Sequence, residues 1–196
     1  MRAGRRAIAI ASSFVLAVFL LSIGTKLAPW GLRIVIVLLA LALILPERSL
    51  KATLHTAGVA HHRPGDPAGP AGVGAVLRSE SGELIGEIGR SIGVTTNTVA
   101  DYVALTEGLE MALEKGVDEV DVCVDSPVLS GHLVEGYRIR ADHLRPLVEH
   151  TRQLLDRFSS WSLTRVARKV NLESDLLANR GIEEPMTEAL GDAMHG

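Results

Sequence analysis

The chain reads as an α/β domain, a mixed five-stranded sheet flanked by helices, preceded by a hydrophobic amino-terminal membrane segment. Three observations predict this. Residues 7–46 are dominated by long apolar runs. Residues 51–92 break into three strand-length runs separated by turn-forming clusters. From Thr96 onward, helical spacing alternates with strand-like alternation.

The elements follow in order. Lys51 to Ala60 reads as a strand, followed by a Gly-, Pro- and His-rich loop from His61 to Gly69. Ala71 to Arg78 and Glu83 to Ile92 read as a hairpin around Ser79-Glu80-Ser81-Gly82. Thr96 to Lys115 switches to helical spacing, with Val99, Tyr102, Leu105, Leu109 and Leu113 recurring at three and four, and Gly116 as its stop. Glu119 to Asp125 alternates acidic residues with Val120, Val122 and Val124, as a strand with one buried face does. Pro127 to Glu135 predicts a short helix and Asp142 to Phe158 a longer one. Ser162 to Ala167 is the last strand, Glu173 to Gly181 the closing helix, and residues 183–196 a flexible polar tail. The order βββ-α-β-α-α-β-α implies a meander joined to strands that return through helices, hence a mixed sheet.

The amino-terminal region, residues 1–48, is read separately. Arg2, Arg5 and Arg6 precede an uncharged apolar run from Ala7 to Gly24, 18 residues long. That is near the minimum for crossing a hydrocarbon core of about 30 Å. A second run, Ile34 to Pro46, reaches spanning length only if Leu27 to Leu32 joins it and Arg33 is accommodated. A two-helix hairpin through residues 7–46 sets Arg2, Arg5, Arg6 and Arg48 on one side, which the positive-inside bias makes cytoplasmic. Two alternatives stand beside it. One is a cleaved signal peptide, although no clean small-x-small site precedes a polar chain. The other is translation starting near Ser49, which leaves a cytoplasmic protein. Hydropathy favours the hairpin, with the domain of residues 51–182 on the cytoplasmic side.

Composition narrows the function. A single cysteine excludes an intramolecular disulfide framework and a multi-cysteine zinc site. An aromatic content of 4% argues against a base-stacking platform. Residues 1–50 hold six Lys/Arg against one Glu, a net +5, so of the total of -3 the rest of the chain carries -8. A strongly basic nucleic-acid binder is thereby excluded, and any such contact must use a local patch.

The candidate chemistry lies in three carboxylates on different elements. Asp125 closes the strand Val122-Cys123-Val124, where an open sheet presents side chains to a crevice. Asp101 lies on the first helix and Asp175 at the start of the last. Together they are suited to Mg²⁺, a hard cation that takes oxygen ligands.

Four segments then carry a resemblance. They are Ala68-Gly69-Pro70-Ala71-Gly72-Val73-Gly74-Ala75-Val76, Thr96 to Leu105, Val124-Asp125-Ser126, and Arg168 to Asn179. In this order the chain resembles type I ribonuclease H, from about Ala52 to Ile182. The resemblance implies a metal-dependent endonuclease cutting the RNA strand of RNA/DNA hybrids with Mg²⁺ or Mn²⁺, the two ions about 4 Å apart. It assigns Asp101, Asp125 and Asp175 as catalytic residues and metal ligands, Asp101 standing where the family usually has Glu. It matches Thr96, Asn97, Arg138, Arg140, Arg168 and Asn171 to substrate contacts, with phosphate pairing for the arginines. The family's first acid, an Asp before Gly at the end of the first strand, is missing. That place reads His55-Thr56-Ala57-Gly58-Val59, and Thr56 is expected at the vacant position. Asp66, in the longer following loop with His61 and His62, is either a substitute ligand or a turn residue beside Pro67. The expected function is hybrid cleavage weakened by the lost Asp. The alternative is a catalytically inactive module that binds nucleic acid or a protein partner at the membrane.

Overall fold

The structure, a computed structural model, describes residues 49–195, with side chains through residue 183. The membrane hairpin expected over residues 7–46 lies outside the described residues. Among those described, no helix is long and apolar enough to cross a membrane.

Five strands form one sheet: β1 (Lys51–Ala60), β2 (Gly69–Ser79), β3 (Leu84–Thr95), β4 (Glu119–Val124) and β5 (Ser160–Arg165). Their spatial order is β3-β2-β1-β4-β5. The β1–β2 and β2–β3 pairs are antiparallel, whereas β1–β4 and β4–β5 are parallel. The mixed five-stranded sheet is thus as expected. Its central strand, β1, touches both the meander and the parallel half.

Helix α1 (Asn97–Glu114) begins where Thr96 caps it, the hydroxyl accepting from the Val99 amide at 3.2 Å. It covers one face of β1, packing Leu105 and Leu109 with Leu54, Val120 and Val122, all buried. Each such side chain contributes about 1.5–3 kcal/mol. Helix α2 (Pro127–Leu133) follows β4 at once, with Ser126 as its cap and Pro127 in its first turn.

The predicted helix over 142–158 divides into a one-turn 3-10 segment, Asp142–Leu144, and α3 (Arg145–Leu155). Pro146 explains the break: it has no N–H to continue the preceding turn, so the α-helix starts around it.

Helix α4 (Leu172–His195) crosses the other face of the sheet. It reaches past residue 181, so the segment expected as a loose tail from 183 is helical backbone to His195. Residues such as Glu183, Met186, Glu188, Ala189 and Leu190 are good helix formers, and a single interior Pro185 does not end the run. The sheet admits this helix closely because β2 carries glycine beneath it. A Cβ on Gly74 would lie 1.9 Å from the Ser174 carbonyl oxygen.

Candidate active site

Strand β1 alternates between the two helices. Leu54 and Thr56 face α1: the Thr56 methyl and Leu54 methyls are the nearest atoms to any Cβ placed on Gly108. Val59 instead packs with Ala178 and Ile182 of α4, and the His55 imidazole Nδ1 meets Asn171 Oδ1 at 3.2 Å. Period-two alternation therefore turns Ala57, between His55 and Val59, toward α4. The last parallel pair of β1 with β4 is Thr56 with Val124, so Ala57 and Asp125 are the next residues along neighbouring strands. Asp125 also faces α4, accepting from Asn171 Nδ2 at 3.3 Å. The β1 residue beside Asp125 is accordingly Ala57. Thr56, expected there, is buried and directed into the opposite layer.

Asn171 ties these ends together. Its Nδ2 donates to the Thr56 carbonyl at 2.7 Å as well as to Asp125, and its Oδ1 also accepts from Ser174 Oγ at 2.9 Å. With 1% of its surface exposed, it is a positioning residue, not the nucleic-acid contact expected from the sequence.

Asp101 approaches from α1. Gly58 permits this, since a Cβ there would stand 2.1 Å from the Asp101 amide nitrogen. The Gly58 amide donates to Asp101 Oδ1 at 3.1 Å. Burial pushes the Asp101 carboxyl up to about 7, with the negative charge of Asp125 adding to the rise; donors from Ser126 and Gly58, and the charge of Arg168, oppose it. Near neutral pH a large share of Asp101 is therefore protonated.

Asp175, on the first turn of α4, is paired. Arg168 Nη2, on the 3-10 turn Arg168–Val170, donates to its Oδ1 at 2.6 Å, and Asn179 Nδ2 donates to its main-chain oxygen at 2.7 Å. Asn179, four residues on, also carries Oδ1 to His61 Nε2 at 2.8 Å. The i,i+4 spacing of Asp175 and Asn179 is the sequence signal that would have found this partner.

Asp101, Asp125, Asp175, Arg168 and Asn97 line one open cleft of about 510 Å³ at the ends of β1 and β4, joined there by Thr98, Ser126, His61 and Asn179. Asn97 Oδ1 accepts from the Ala60 amide at 2.7 Å, fixing the mouth of the loop after β1. Thr96 serves as the helix cap. Arg138 and Arg140 are exposed on the segment after α2 and do not line the cleft. Asp66 lines a neighbouring cavity of about 390 Å³ with Arg63, and its amide donates to the Arg63 carbonyl at 3.0 Å, as a turn residue does.

The fit to the expected pair of divalent ions is poor. Among the described residues, no three His, Cys, Asp or Glu side chains are grouped to hold a metal ion. The β1 residue beside Asp125 carries only a methyl, and Asp175 is already paired with Arg168. Three lined-up carboxylates thus converge on one cleft without forming a ligand set.

A mixed sheet in the order β3-β2-β1-β4-β5, with acidic side chains gathered where β1 and β4 end, defines the ribonuclease H fold. The chain belongs to the type I ribonuclease H family. Residues 64–181 match the family described as reverse transcriptase-like. Ribonuclease HI of Halobacterium salinarum is 34% identical over 143 residues, 73% of this chain and 70% of that protein. A bifunctional protein of Mycobacterium tuberculosis is 31% identical over 66% of this chain, which spans only 35% of that relative. Among solved structures, RNase H1 from Halobacterium salinarum superposes with a TM-score of 0.64 at 33% identity, covering 68% of this chain and 98% of its own. LC11-RNase H1 in complex with an RNA/DNA hybrid gives 0.62 at 29% identity, covering 69% and 99%.

Proposed function

We propose that this protein binds RNA/DNA hybrids in the cleft at the ends of β1 and β4, and that it cleaves the RNA strand only weakly. Family membership and the likeness to a relative solved with a hybrid support the substrate class. The observation that carries the weakness is Ala57: beside Asp125 the chain has a methyl where two-metal hydrolysis needs a bridging carboxylate. The shortened Asp101 acts in the same direction. Arg168 and Asn97 serve backbone contact from the cleft wall, and Arg138 and Arg140 offer exposed charge along an approaching strand.

Residues 7–46 attach the protein to a membrane in this reading, with the nuclease-like domain on the cytoplasmic side, because their apolar runs are flanked by Arg2, Arg5, Arg6 and Arg48. Recovery of the full-length protein wholly in the soluble fraction would remove that part of the proposal.

The deciding experiment measures binding and cleavage of a labelled hybrid by the full-length protein, with Mg²⁺, with Mn²⁺ and with chelator. Binding with slow or undetectable cleavage is expected. Rapid turnover would show that another group replaces the lost carboxylate, and absence of binding would end the hybrid reading.

A further inference from the structure

A second cavity opens beside the cleft, and the loop after β1 builds it. Residues Arg63, Pro64, Gly65 and Asp66 form a turn in which the Asp66 amide donates to the Arg63 carbonyl at 3.0 Å. Pro64 in the second place and Gly65 in the third, with φ +95°, are the type II pattern. The base of the loop is closed as well. There the His61 amide donates to the Pro70 carbonyl at 2.8 Å, and a Cβ on Gly69 would lie 2.2 Å from the His61 carbonyl oxygen. Arg63 and Asp66 thus stand at the two ends of one constrained turn.

Both side chains line the cavity of about 390 Å³, with His61, Pro70, Val94 and Ile182 as further walls. Although only three residues apart, they do not pair. Among the described residues, neither side chain has a hydrogen-bond or ion-pair partner. A free guanidinium beside a free carboxylate suits a ligand that brings both an acceptor and a donor.

The position of the cavity selects the ligand. His61 lines this cavity and the cleft alike, so the two meet at its imidazole. That ring is fixed: Asn179 Nδ2 donates to the Asp175 main-chain oxygen, which leaves Asn179 Oδ1 to accept from His61 Nε2 at 2.8 Å. We propose that the Arg63–Asp66 turn is a second recognition site for the RNA strand of a bound hybrid, outside the cleft, where Arg63 holds a phosphate and Asp66 a ribose 2′-hydroxyl. A strand leaving the cleft past His61 reaches this turn. Its phosphate oxygens accept from the guanidinium, and the 2′-hydroxyl, present in RNA alone, donates to the carboxylate. The proposal rests on the hybrid-binding reading above.

The test is fluorescence anisotropy with the full-length protein and two labelled hybrids, across a salt series. One hybrid has an RNA strand that is ribose throughout; in the other, ribose is kept only at the central nucleotides and the flanks are deoxyribose. The parent should bind the first more tightly, by about fivefold or more. Asp66→Ala should bind the two within about twofold of each other, whatever its overall affinity. Arg63→Gln should weaken both about fivefold or more and lower the salt slope by about one phosphate contact, whereas Arg63→Lys should keep the parent's slope. Both side chains are exposed, so these variants leave the fold intact. Unaltered binding by Arg63→Gln would overturn the proposal while hybrid binding stands. A parent without preference between the hybrids, or an Asp66→Ala variant that keeps it, would do the same. Failure of the parent to bind either hybrid would remove both the hybrid reading and this proposal.

Discussion

Asn171 donates to the main-chain carbonyl of Thr56 at 2.7 Å, joining the start of α4 to the end of β1 across the face that Thr56 itself turns away from. Both amide hydrogens and both oxygen lone pairs of Asn171 are engaged, with His55, Asp125 and Ser174 as the other partners. Asn171→Ala removes them all and strands buried groups. It should destabilise the fold by about 3 kcal/mol, since an unsatisfied buried group costs about 1–3 kcal/mol. Urea unfolding checks this; a loss under about 1 kcal/mol would mean that water replaces the amide readily.

The neighbours Thr56 and Ala57 give opposite outcomes on receiving the same charge. Ala57→Asp places a carboxylate beside Asp125 and should raise Mg²⁺-dependent hybrid cleavage by about 10²-fold or more, at ~1.4 kcal/mol per tenfold. Thr56→Asp buries a charge between Leu54 and α1 at Gly108, and should lower stability by several kcal/mol, on the order of 3 or more, without gain in cleavage. Cleavage rates and melting curves of the two variants discriminate. Rescue by Thr56→Asp alone would reverse the assignment of the vacant position.

Asp101 makes stability depend on pH. Its carboxyl ordinarily titrates near 3.8, and in the folded protein it is pushed up to about 7. The folded state therefore binds more protons across that interval, and stability falls as pH rises from about 4 to about 7, then levels off. The upper bound on the fall is about 4 kcal/mol, at ~1.36 kcal/mol per unit. Asp101→Asn keeps the acceptor for the Gly58 amide without the charge. Denaturant melts should show a flatter pH profile for the variant and a higher stability than the parent at pH about 8. A parent profile that rises with pH across this interval would contradict the assignment.

Gly58→Ala tests the approach of α1 to β1. The added methyl would fall 2.1 Å from the Asp101 amide nitrogen and 2.2 Å from the Ala100 carbonyl carbon, both main-chain atoms. The helix start must move, so a loss of about 2–4 kcal/mol is expected, comparable to other overpacked sites with backbone shifts. Hybrid binding at a protein concentration that keeps the variant folded should weaken as well, because Asn97 and Asp101 move together. A variant as stable as the parent would show that the contact yields easily.

The sequence by itself determined the order and type of the elements. Alternation in β1 and β4, the three-and-four spacing of α1 and the Gly and Ser turn clusters are local signals, and β1 was legible to the residue. Pattern also located Asp101, Asp125 and Asp175, because motif order along the chain survives where identity is modest. Boundaries set by a single residue were less legible: Pro146 split one expected helix, and favourable propensity carried α4 beyond its expected end. Which face each residue takes was decided only by the tertiary structure. Strand period two makes adjacent positions differ completely, so a one-residue difference in alignment exchanged Thr56 in the core for Ala57 beside Asp125. The partners of Asp175, Asp101 and Asn171 likewise depend on packing. Asn171 lies 115 residues from Thr56 in the chain, and only the docking of α4 across the sheet brings its amide to that carbonyl.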